Sequence, residues 1–202
     1  MRRLVIVFVI ITALVAVWWF YPGAPSTAPT RGRNVIAFGD SLVEGVGASP
    51  RHDLVWLLST RTGTPIINAG RRGDTTAAAL SRLDRDVLAR DPRIVIVVLG
   101  GNDLIRRVPR EQTLENMSRI VEQIRARGAA VVLAPVSLGL IVDNYTDGYE
   151  EIAERTRSVL VPGILDGILG TAGMTADPIH PNDRGYELMA ARIEPVLRAM
   201  LK

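Results

Sequence analysis

Ser41, Asp177 and His180 are the residue types that acyl transfer requires. A serine hydroxyl is a weak nucleophile until a base takes its proton, and the base needs a third group to orient it. The 202-residue chain holds only two histidines, His52 and His180. Asp177 precedes His180 by three positions, so one loop can carry both. Ser41 follows the apolar run Val35–Phe38 and stands before an apparent helix, a place from which a hydroxyl projects into solvent. The oxyanion of such a reaction needs donors. Asn102 offers a side-chain amide, and the backbone N–H groups of Ser41 and Gly73 offer two more. A glycine at 73 lets a substrate oxygen approach the backbone closely.

Each of these residues has a plainer reading on its own. Ser41 suits a helix cap, Gly39 and Gly101 suit turns after strands, and Asp40 and Asp103 suit caps or ties between loops. His52, beside Asp53, reads as a surface residue. The joint placement favours chemistry.

The elements that must position them alternate along the chain. Val35–Phe38, Pro65–Ile67, Ile94–Leu99, Ala130–Ala134 and Val159–Val161 read as strands. The run Ile94–Leu99 is the strongest, apolar throughout and suited to burial on both faces. Between them lie helical patterns over Leu54–Arg61 after an Asp53 cap, Thr75–Ala89, Thr113–Arg127 before Gly128, and Tyr149–Ser158. A last helix starts at Asn182 or Asp183 and runs toward Met200, with Pro195 expected to kink it. Strands separated by helices imply a parallel sheet covered on both faces. Sites in such sheets form at the carboxyl ends of strands. Gly39-Asp40-Ser41, Asn68 with Gly70 and Gly73, and Gly100-Gly101-Asn102-Asp103 follow three strands, and Asp177-Pro178-Ile179-His180-Pro181 precedes the final helix.

Composition narrows the chemistry. The chain has no cysteine, which removes disulfides, thiol catalysis and thiolate-bound zinc. Hydrophobic residues at 48% and charged residues at 22% describe a globular chain. Its net charge is +3, but Arg2, Arg3, Arg31 and Arg33 precede Asn34 with no acid among them. Setting those four charges aside leaves residues 34–202 at −1. The basic balance therefore belongs to the N-terminus, and no nucleic-acid partner is expected. A metallophosphoesterase would draw on Asp40, Asp74, Asn102, Asp103, Asp177 and His180. Two histidines and no early Asp-x-His pair under-supply a dinuclear centre.

Leu4 to Phe20 is apolar apart from Thr12 and would span roughly 25 Å as a helix. Arg2 and Arg3 precede it, and Trp18, Trp19 and Tyr21 sit where an aromatic belt would. Residues 1–21 thus read as a transmembrane anchor, or else a signal segment, with Pro25 and Pro29 crowding the cleavage positions. Residues 22–33, rich in Pro, Ser, Thr and Gly, read as a linker, and 34–202 as the folded domain. The domain is expected on the extracytoplasmic, periplasmic side.

Gly39-Asp40-Ser41-Leu42, Gly73, Gly100-Gly101-Asn102-Asp103 and Asp177-x-x-His180-Pro181-Asn182 occur in this order over residues 34–202. Together they resemble the SGNH (GDSL) hydrolases, within them the small bacterial thioesterase I/lysophospholipase/arylesterase branch. The resemblance implies Ser41 as nucleophile, His180 as general base and then acid, and Asp177 as its orienter. It implies an oxyanion hole of the Ser41 and Gly73 N–H groups with the Asn102 side chain. It implies a three-layer α/β/α flavodoxin-like fold with about five parallel strands, and neither metal nor cofactor. Pro178 departs from the branch and is expected to stiffen the loop.

Leu104, Ile105, Leu138, Leu140, Ile141, Val142 and Ile179 lie near strand ends or His180, and are candidates to line an acyl groove; ordinary core is the alternative. The implied substrate is a small-molecule or lipid ester, acyl or aryl, or a thioester. An acetylesterase of cell-wall or exopolysaccharide sugars, and a membrane-tethered non-catalytic binding domain, remain as other readings. The arginine pairs 71–72 and 106–107 flank Gly73 and Asn102, either as an anion-favouring mouth or as solvated surface.

Overall fold

The computed structural model describes residues 32–136 and 145–202. Five strands form one sheet: β1 (Asn34–Gly39), β2 (Ile66–Gly70), β3 (Pro92–Val98), β4 (Ala130–Leu133) and β5 (Val159–Leu160). All pair in parallel in the order β2-β1-β3-β4-β5. Seven α-helices accompany them among the described residues: α1 (Ser41–Glu44), α2 (Leu54–Thr62), α3 (Thr76–Asp86), α4 (Gly101–Ile105), α5 (Arg110–Ala126), α6 (Thr146–Thr156) and α7 (Asp183–Leu201).

The strand alternation sorts the core into two layers. Val35 and Ala37 of β1 join Ile94, Ile96 and Val98 of β3 on one face, packed by Leu54 and Leu58 of α2 and Met189 and Ile193 of α7. Ile36 and Phe38 join Val95 and Val97 on the other, under Leu83 of α3, Ile120 and Ile124 of α5, and Ile152 of α6. Residues 94–98 of β3 are each at most 1% exposed, so the central strand contacts water on neither face. That burial requires helices on both sides and fits a parallel strand. The result is the expected three-layer α/β/α sandwich.

Several boundaries differ from the sequence expectation. The second strand runs over 66–70, so Asn68 lies inside it and not at its end. The helix expected over 75–89 stops at Asp86, and Leu88–Arg90 forms a 3-10 turn. The last helix continues through Pro195 as one element. Among the described residues no helix is long and apolar enough to cross a membrane. The expected N-terminal hydrophobic helix over 1–21 lies outside the described residues, as does most of the linker.

Candidate active site

Ser41 opens a helix of only four residues. Asp40 caps it, accepting from the Leu42 N–H at 3.0 Å. This short turn lifts the Ser41 hydroxyl off the end of β1. Gly39 must be small: a Cβ there would sit 2.3 Å from the Val98 carbonyl oxygen and 2.5 Å from a Val43 methyl. Asn68 fastens the turn from β2, donating to the Val43 carbonyl at 2.8 Å.

The other half of the site is the loop before α7. Asp177 Oδ1 accepts from the N–H groups of Ile179 and His180, each at 2.9 Å. Its other oxygen lies 2.7 Å from His180 Nδ1. Those bonds, the Ile179 N–H first, hold the Asp177 carboxyl down at about 2. It is therefore ionised at neutral pH and can only accept, so His180 Nδ1 carries the proton. Nε2 faces Ser41 Oγ at 3.1 Å, and in the neutral ring it accepts from the Ser41 hydroxyl. Asn182 caps α7 at the Arg184 and Gly185 N–H groups and donates to the Gly173 carbonyl, closing the loop's far side. Pro178 leaves the Asp177–His180 contact intact.

Asn102 stands in the first turn of α4, beyond β3. Its amide nitrogen lies 3.2 Å from Asp40 Oδ2 and 3.1 Å from the Asp74 carbonyl. Gly73 precedes Asp74 with φ +78°, a left-handed conformation that glycine adopts without strain. Arg106 donates to the Gly73 carbonyl at 2.8 Å, and Arg72 pairs with Glu44. Two of the four flanking arginines are thus engaged with the protein itself. Burial pushes the Asp40 carboxyl up to about 6, against the lowering bonds from Leu42 and Asn102.

An open cavity joins these groups. Asp40, Ser41, Asn102 and His180 form its polar side, and Leu42, Gly101, Ile105, Val136, Leu165 and Ile179 the rest. Gly73 is not among its lining residues. Ile105 and Ile179 line it at 50% and 42% exposure. Leu104 corrects the expectation: it packs against the core under α3, α5 and α6, because α4 turns it away from the cavity. Leu138, Leu140, Ile141 and Val142 lie outside the described residues. Leu42 joins the lining from within its motif, and Val136 and Leu165 carry no motif in the sequence. Val136 lies just past β4, so the strand-end rule would have reached it; Leu165 sits in an irregular segment with no periodic signal. Asp40 and Asp103 take the tying roles their plainer reading gave them. Asp103 accepts from Thr76 N–H at 2.9 Å and from Thr76 Oγ1 at 2.6 Å. His52 is exposed, against Ser49 and Trp56. No cluster of three or more His, Asp or Glu residues able to hold a metal occurs among the described residues.

Known proteins share this architecture. Esterase TesA of Pseudomonas aeruginosa is 28% identical over 186 residues, covering 87% of this chain and 92% of its own. Thioesterase 1/protease 1/lysophospholipase L1 of Escherichia coli K12 is 29% identical over 178 residues, covering 81% and 84%. A crystal structure of TesA superimposes with a TM-score of 0.78 at 28% identity, over 83% of this chain and 99% of that one. The GDSL-like lipase/acylhydrolase family matches residues 37–188. That span is well over half of the sequence: the chain belongs to the GDSL-like lipase/acylhydrolase family, and is a serine hydrolase of esters or thioesters.

Proposed function

We propose that Ser41 is the nucleophile of this ester or thioester hydrolase, His180 its base and then its acid, and Asp177 the orienter of His180. The observation that carries the reading is the 3.1 Å contact from His180 Nε2 to Ser41 Oγ, with Asp177 at 2.7 Å on the opposite ring nitrogen. Ser41 Oγ bonds to the substrate carbonyl carbon while its proton passes to Nε2. The tetrahedral intermediate collapses, the alcohol or thiol leaves, and Nε2 returns the proton to it. Water then repeats the sequence on the acyl-enzyme and releases the carboxylic acid.

The oxyanion is held by the N–H groups of Ser41 and Gly73 and by the Asn102 amide. An alkoxide is a stronger acceptor than the Asp74 carbonyl, and draws one Asn102 N–H toward itself. The acyl part lies against Leu42, Ile105, Val136, Leu165 and Ile179. Among the described residues no Phe, Tyr or Trp lines the cavity, which favours acyl or aryl esters over sugar acetates. The domain boundaries 1–21, 22–33 and 34–202 and an extracytoplasmic, membrane-anchored address belong to the same proposal. Their support is the apolar run Leu4–Phe20 behind Arg2 and Arg3.

The test is hydrolysis of p-nitrophenyl esters, from acetyl to palmitoyl, by the full chain and by Ser41→Ala. Activity that disappears in the variant is expected, with a preference for chains longer than acetyl. Undiminished turnover by Ser41→Ala overturns the assignment. Acetyl preference transfers the substrate to the sugar-acetate class, and inactivity on every ester supports the binding domain. Carbonate washing of membranes checks the address: the full chain should stay bound, and release into the wash would reject the anchor.

A further inference from the structure

Arg82 of α3 is a buried cation that the reaction steps leave unused. Its side chain is only 4% exposed. A guanidinium so placed is tolerated where acceptors replace its water. Nε donates to Asp74 Oδ2 at 2.5 Å, and Nη1 to Asp86 Oδ2 and the Ala69 carbonyl, each at 3.0 Å. Nη2 donates to the Gly39 carbonyl at 2.8 Å, and the group stacks 4.5 Å from the Phe38 ring centroid.

These acceptors mark the places where the active site begins. Gly39 ends β1 two residues before Ser41. Ala69 lies near the end of β2, and Asp74 directly follows Gly73. One rigid fork thus spans the serine turn and the loop that carries Gly73. Asp74 is held from its other end as well, because its carbonyl accepts from Asn102 at 3.1 Å. A buried ion pair adds little net stability over an apolar packing. What this one fixes is the spacing between loops.

We propose that Arg82 is a positioning residue for hydrolysis: acting through Asp74 and Gly39, it holds the Gly73 and Asn102 donors in register with Ser41. The inference rests on the oxyanion roles given to Gly73 and Asn102 above.

Two carboxylates share the guanidinium and differ in what else they touch. Asp74 joins the site loop, whereas Asp86, in the last turn of α3, meets only Arg82 and Arg85. Asp74→Asn and Asp86→Asn in the full chain therefore separate positioning from stability. With octanoyl ester, Asp74→Asn is expected to lower kcat about 10- to 100-fold with KM within about threefold. Asp86→Asn is expected to lower the melting temperature as much while holding kcat within about twofold. Arg82→Lys keeps the charge but not the fork, and should lose kcat as Asp74→Asn does; it replaces Asp74→Asn in the comparison if that variant does not fold. Equal kcat in the Asp74 and Asp86 variants, or a loss confined to KM, overturns the proposal. Ser41→Ala stands as the separate control: if it retains activity, the functional reading itself has failed, whereas an inactive Ser41→Ala with equal Asp variants sinks only the positioning role.

Discussion

Asp103 and Asp177 are both carboxylates that fix a turn of the site, in opposite surroundings. Asp103 is fully buried and gathers Thr76 and Thr113, 27 and 10 residues away. Asp177 is 44% exposed at its side chain and gathers only Ile179 and His180, two and three residues on. The base side of the site is thus a local loop that closes on itself beside solvent. The nucleophile and oxyanion side is assembled from distant segments by buried polar bonds. Buried polar groups without partners are costly, so that side ties catalytic geometry to folding energy. The local loop can carry a chemical role with little weight on stability.

The largest test of that division is Ser41→Ala. It should lower turnover by about 10⁴- to 10⁶-fold, while the melting temperature stays within about 3 °C. A large shift in melting would mean the hydroxyl supports the fold as well.

Next comes the aspartate pair. Asp177→Asn should lower kcat by about 10²- to 10⁴-fold and destabilise in urea unfolding by less than Asp103→Asn does. Asp103→Asn should destabilise by about 2–4 kcal/mol, because its amide would face the Thr76 N–H donor. If both variants lose stability equally, the local loop is not self-contained.

A smaller effect comes from Asp40, pushed up to about 6 from 3.8 by burial. Between those values the native state keeps a proton that the unfolded chain has released. Stability should therefore fall as pH rises through that window. Asp40→Asn should flatten the slope in unfolding measured at pH 4 and pH 6.5. Asp177 has the opposite sign. Its carboxyl is held down at about 2, so its stabilisation is present above the ordinary carboxylate range and is lost as pH falls toward 2.

The smallest expected change is at the cavity rim. Ile105→Ala and Ile179→Ala should each raise KM for octanoyl ester by about three- to tenfold and leave acetyl ester unchanged. Equal effects on both esters would remove the rim from acyl binding.

The same division governs what could be read from sequence. The apolar runs of β1 and β3, the helical patterns between strands and the three-residue spacing of Asp177 and His180 are short-range patterns, legible without the fold. The apolar run stops before Asn68 and so suggests a strand end there; pairing with β1 carries the strand on to Gly70. Following Asn102 in sequence suggests that Leu104 faces the cavity. The turn of α4, too short for a periodic signal, directs it into the core instead. Arg82 has no motif at all: among the charged residues of an arginine-rich chain, nothing local marks one for burial.

The order of strands and helices, the residue types needed for acyl transfer and the close spacing of Asp177 and His180 are written in the chain itself. Each follows from contacts a few residues long or from side-chain period. Only folding brings His180 to Ser41 across 139 residues, Asn102 to Asp40 across 62, and Arg82 to Gly39 across 43. Parallel pairing brings the carboxyl ends of the strands to one edge, and the register of that pairing, not the spacing along the chain, sets which polar atoms meet there.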